Sequence, residues 1–87
     1  NNIEKQSNIQ IYPNPLQRNG ILYILFGEEQ MTEYRISNMQ GVLMREGKID
    51  SKYVQSIGIN LENLSSGIYI ITLNGSSTFS EKFIIAP

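Results

Sequence analysis

The residue types that carry most enzymatic chemistry are missing from this chain. It has no Cys, no His and no Trp. Without Cys there is no thiol nucleophile and no disulfide framework. Without Cys or His, zinc, copper and iron sites of the ordinary kind are excluded, as is every catalytic arrangement with a His base. Hydroxyls and carboxylates remain. Ser65-Ser66 and Ser76-Ser77 are loop residues with no His to activate them. Glu28 and Glu29 are adjacent; on an extended chain they point to opposite faces and cannot converge as an acid–base pair, so they are read as a solvated hairpin tip. Asp50, Asn60, Glu62 and Asn63 offer oxygens to calcium, but not at EF-hand spacing. Gly41, Gly67 and Gly75 are separate turn glycines with no phosphate loop among them. The expectation is no catalytic residue, no metal and no cofactor.

These residues sit between short β-prone runs. Asn1–Asn8 is polar apart from Ile3 and is expected to be a linker or processing region, with the domain spanning residues 9–87. Ile9 and Ile11 alternate with Gln10 until Tyr12-Pro13-Asn14-Pro15 stops the strand, because Pro donates no ladder hydrogen bond. Ile21–Phe26 is apolar on both faces, as expected of a strand central to a packed sheet. Tyr34 and Ile36 share a face within Thr32–Ser37. Asn38-Met39-Gln40-Gly41 is a tight turn with Gly41 suited to positive φ. Val42 and Met44 are expected on one face of the next strand, and Asp50-Ser51-Lys52 in a loop. Ile57, Ile59 and Leu61 alternate, with at most one helical turn after them at Glu62–Ser65. Tyr69, Ile71 and Leu73 share a face, and Asn74-Gly75 signals a hairpin. Phe79, Phe83 and Ile85 close the pattern opposite Ser80, Lys82 and Ile84. About seven strands with frequent turns predict a small immunoglobulin-like antiparallel β-sandwich, all β.

Composition agrees. Eighty-seven residues make one small domain, and 40% hydrophobic residues supply a core. A net charge of −1, with acids and bases mixed, leaves no basic field for nucleic acid or an anionic membrane. The chain begins at Asn1 with no signal peptide pattern, and is expected to be a segment of a longer protein.

Leu64-x-x-Gly67-x-Tyr69 stands just before the sixth strand. In Greek-key sandwiches a Tyr here folds back and hydrogen-bonds backbone a few residues upstream, pinning the corner. Gly67 would turn the backbone without a Cβ clash and Leu64 would plug the core end. Tyr12-Pro13-Asn14-Pro15, Asn38-Met39-Gln40-Gly41, Leu64-Ser65-Ser66-Gly67-Ile68-Tyr69 and Lys82-Phe83-Ile84-Ile85, in that order, resemble the motifs of the type IX secretion C-terminal sorting domain, also called the Por secretion system tail domain. The resemblance runs from Ile9 to Ile85. Asn38 stands where that family usually has Asp, and Ala86-Pro87 replaces its usual basic finish.

The resemblance implies a signal rather than an enzyme. The recognition residues would be Pro13, Asn14, Pro15, Gly41, Leu64, Gly67, Tyr69, Lys82, Phe83, Ile84 and Ile85. The implied partners are an outer-membrane translocon with its shuttle barrel, a sortase-like cysteine peptidase cutting near Asn1–Asn8, and N-terminal cargo domains of the parent chain. The implied route is through the periplasm to the cell surface or the medium. The last strand, Thr78–Ile85, is expected at a sheet edge, where its backbone would pair with a partner. The rival reading is an adhesive or carbohydrate-binding sandwich module. Its aromatic contacts would come from Tyr12, Tyr23 and Tyr53, because Tyr34, Tyr69, Phe79 and Phe83 fall on expected core faces.

Overall fold

The computed structural model of the chain describes residues 8–50 and 54–87. They form seven strands and no helix: β1 Gln10–Tyr12, β2 Ile21–Leu25, β3 Met31–Asn38, β4 Leu43–Lys48, β5 Ser56–Asn60, β6 Gly67–Gly75 and β7 Thr78–Ile85. A three-stranded sheet runs β1-β2-β5 and a four-stranded sheet runs β4-β3-β6-β7, all antiparallel. This is the expected immunoglobulin-like sandwich, with the fourth strand paired to the third.

The core is what period-2 alternation dictates. Leu22, Ile24 and Phe26 point inward from β2 and its end; Ile36 does so from β3, where a register shift between Met31 and Glu33 lets Met31 be buried as well; Tyr69, Ile71 and Leu73 from β6; Phe83 and Ile85 from β7. Ile9, Ile11, Leu16, Ile49, Ile59, Leu61 and Leu64 complete it. Among the described residues no polar or charged side chain is buried, so hydrophobic burial holds the sheets together without desolvating a charge. Tyr69 and Phe83, cross-strand partners, stack in this core with ring centroids 5.8 Å apart.

Three local expectations change, and two are refined. β2 is central to its sheet, but only one of its faces is buried; Ile21 and Tyr23 are exposed. Glu28-Glu29 lies on a turn that carries the chain from one sheet to the other, not at a hairpin tip. Val42 and Met44 do not share a face. A bulge opposite Ile36–Ser37 adds a residue to β4, so Met44 packs against the core while Val42 is exposed. The hairpin that Asn74-Gly75 signals does form, with Asn74 paired to Thr78, and its bend falls at Ser76-Ser77 because Gly75 still belongs to the strand. A Cβ on Gly75 would come 2.0 Å from the Gln30 carbonyl oxygen, so glycine there serves close passage of two backbones rather than a turn. Glu62-Asn63 forms a turn and no helix, within the expected limit of one helical turn. Tyr53, most of the Asp50-Ser51-Lys52 loop and most of the Asn1–Asn8 linker lie outside the described residues.

Candidate recognition surface

Antiparallel pairing brings the β1–β2 connection, the β3–β4 turn, the β5–β6 connection and the end of β7 to one pole of the sandwich. The registers that place them there are Asn38↔Tyr69, Tyr69↔Phe83 and Gly67↔Ile85. The eleven expected recognition residues, spread over the chain from Pro13 to Ile85, therefore converge on one end. Asn8 enters at the other end, where it lies against Gly27.

At the pole, the β3–β4 turn is built by Asn38. Its Oδ1 accepts hydrogen bonds from the N–H groups of Gln40 at 2.9 Å and Val42 at 3.0 Å. The Gly41 N–H donates to the Asn38 carbonyl at 3.0 Å. Gly41 has φ 84°, left-handed backbone that a side chain resists. Asn supplies the same acceptor oxygen as Asp, so the departure at position 38 keeps the turn.

The corner before β6 is pinned as expected. The Tyr69 hydroxyl donates to the Ser65 carbonyl at 2.7 Å while its ring is 4% exposed. Leu64 is buried in the core. Gly67 is needed for its φ of 152° and not for room, since a Cβ there would meet nothing within 4 Å.

Tyr12-Pro13-Asn14-Pro15 does more than end β1. β7 is an edge strand of its sheet, as expected. The first motif lies along that edge. The Asn14 Oδ1 accepts from the Ile84 N–H at 3.0 Å, and the Asn14 amide donates to the Lys82 carbonyl at 3.4 Å. The Leu16 N–H donates to the Ile84 carbonyl and the Ala86 N–H to the Leu16 carbonyl, both at 2.7 Å, in a parallel bridge. Pro13 and Pro15 bring no N–H of their own to this contact. From Lys82 to Ala86 the edge is thus occupied by the chain itself, leaving Thr78–Glu81 as its open stretch. This clasp spans up to 70 residues of sequence. The one local clue was the Pro-x-Pro pair, which leaves only Asn14 and Leu16 able to donate.

The expected recognition residues divide by exposure. Leu64, Tyr69, Phe83 and Ile85 are core. Gly41, Gly67, Lys82 and Ile84 are open to solvent, as are Pro13, Asn14 and Pro15. On the three-stranded sheet, Tyr12 and Tyr23 are exposed and stacked, with centroids 5.7 Å apart. Among the described residues no cluster of His, Cys, Asp and Glu gathers to hold a metal. A search of curated proteins finds no match to this chain. The family model described as "Secretion system C-terminal sorting domain" matches residues 10–86. That range contains all four motifs, and the chain belongs to this family of type IX secretion sorting domains.

Proposed function

We propose that the domain is a folded export tag: it directs cargo domains of its parent chain across the outer membrane through the type IX translocon and shuttle barrel, and a sortase-like cysteine peptidase then removes it. Membership of the sorting-domain family over residues 10–86 carries this reading. The pole supports it physically, because four separate motifs are gathered there into one rigid end that a receptor can read by shape. Cutting within or beside Asn1–Asn8 fits the polarity of that stretch. The cargo is then left at the cell surface or released.

The test removes residues 9–87 from the parent chain in its own cells and follows the cargo by fractionation and surface proteolysis. The cargo should stay inside the envelope. Cargo that still reaches the surface overturns the reading. N-terminal sequencing of the released tail should find the cut at or before Asn8; a cut within the sandwich contradicts the processing step.

Pairing of a partner with the β7 edge must use Thr78–Glu81, or displace the clasp, since the Lys82–Ala86 backbone is already bonded. The glycan-binding rival rests on the exposed Tyr12–Tyr23 stack. A glycan screen of the parent chain and its Tyr23→Ala variant separates the two: a sorting tag gives no Tyr23-dependent binding.

A further inference from the structure

The outer face of the four-stranded sheet is split along its length. Toward the end where Asn8 enters it is polar. Arg35 and Glu46 form an exposed ion pair at 3.6 Å, and beside them the Thr72 and Ser80 hydroxyls hydrogen-bond at 3.1 Å. Toward the motif pole it is apolar. Ile68 and Ile84 are directly paired across β6 and β7 and are 48% and 44% exposed. The next row runs Leu43, Ser37, Ile70 and Lys82, with Leu43 45% exposed. Lys82 is the one charge in these two rows.

A monomeric domain gains nothing from a row of branched aliphatics in water, and clustered exposed apolar residues mark interaction surfaces. Neither local structure nor core packing requires Ile at 68 or 84, because both side chains point away from the core. The backbone beside Ile84 is sealed by Asn14 and Leu16, so what this part of β7 offers outward is side chain rather than ladder. The direction of the chain also matters. Asn8 lies at the opposite end, so the preceding chain joins the sandwich about eight strand residues away, roughly 25 Å at the usual rise per residue. The apolar half faces away from that attachment and is presented to a partner in trans.

We infer that the Leu43–Ile68–Ile84 face is the docking surface for a protein of the export machinery, one that presents an apolar ridge with a carboxylate placed to meet Lys82. This deepens the sorting reading and rests on it: it names the face that is read. A protein ridge fits better than a lipid surface because the face carries a single cation. Membrane attraction needs several basic residues, each adding about 1 kcal/mol. A protein ridge also fits better than a second copy, because two copies related by a two-fold axis would bring Lys82 close to its own equivalent or leave it unpaired.

The experiment uses the full parent chain in its own cells. Ile68→Asp and Ile84→Asp, singly and together, are compared with Ile21→Asp, which places the same charge on an equally exposed isoleucine of the other sheet. Melting of each purified chain checks that it is folded. The expected result is at least a tenfold loss of surface-exposed cargo for the double variant, with Ile21→Asp exporting normally. Lys82→Glu should reduce export and Lys82→Arg should retain it. Normal export by the folded double variant overturns the inference, as does equal loss in the Ile21→Asp control. Ile84-dependent self-association in sedimentation, or Ile84-dependent binding to phosphatidylethanolamine–phosphatidylglycerol vesicles, overturns it in favour of a second copy or a membrane. Removal of residues 9–87 separates the two levels. If that deletion leaves export intact, the sorting reading fails; if it blocks export while the Asp variants do not, only the face is wrong.

Discussion

Tyr69 does two jobs with one side chain. Its ring fills the core against Phe83, and its hydroxyl reaches back to the Ser65 carbonyl at 2.7 Å. Tyr69→Phe separates the two. The ring stays and the corner bond goes, which should cost about 1 kcal/mol. For a domain of this size that is a fall of about 4–8 °C in melting temperature. No change in melting temperature would show that the corner is held by Leu64 and Gly67 alone. Asn38 makes a similar case. Asn38→Asp keeps the oxygen that accepts from Gln40 and Val42 and should leave stability unchanged within about 0.5 kcal/mol. Asn38→Ala removes both bonds and should cost about 1–2 kcal/mol by denaturant titration. These roles were legible in the sequence because each is local. A Tyr two residues after a Gly, or an Asn three residues before one, carries its geometry in its spacing.

Elements were less legible wherever a contact is not local. Alternation identified the inward faces of β5, β6 and β7, because a strand repeats every two residues wherever it sits. It could not show the extra residue in β4, since an insertion of one looks like alternation shifted by one; that is why Val42 and Met44 parted. Asn74-Gly75 marked the hairpin but not the reason for its glycine, which answers to Gln30 on the neighbouring connection, 45 positions earlier. Gly75→Ala would push a methyl group into that backbone and should destabilise the domain by about 1–3 kcal/mol, read from its denaturation midpoint. An ordinary turn glycine without positive φ would tolerate Ala. The clasp over β7 was invisible for the same reason. Asn14→Ala should free the Ile84 amide, and its hydrogen exchange should speed up at least tenfold while that of Phe83, which faces β6, changes little. If both amides respond equally, the clasp is part of one cooperative unit with the sheet.

At the scale of the whole molecule, the fold gathers four motifs at one pole and enters from the other. Buried motif residues set the shape of the pole: Phe83, fully buried, should cost about 3–5 kcal/mol when replaced by Ala. A small domain with a total margin of about 5–15 kcal/mol cannot spare much of that, so Phe83→Ala should fail at folding rather than at recognition. Among the exposed motif residues, the Lys82 and Ile84 side chains hold no backbone geometry and are the proposed receptor contacts, so their substitution should leave melting unchanged while export falls. Alternation alone already sorted the strand residues of the two groups, placing Tyr69, Phe83 and Ile85 inward and Lys82 and Ile84 outward; it could not show that Asn14 lies along β7, because that contact depends on which segments become neighbours.

The most direct measurement transplants the domain. Residues 1–87 are fused behind a periplasm-targeted reporter in a bacterium that has type IX secretion, and the reporter is located by fractionation and surface proteolysis. The account predicts a reporter at the cell surface or in the medium, separated from the tail. A folded, intact fusion that remains in the periplasm would contradict it.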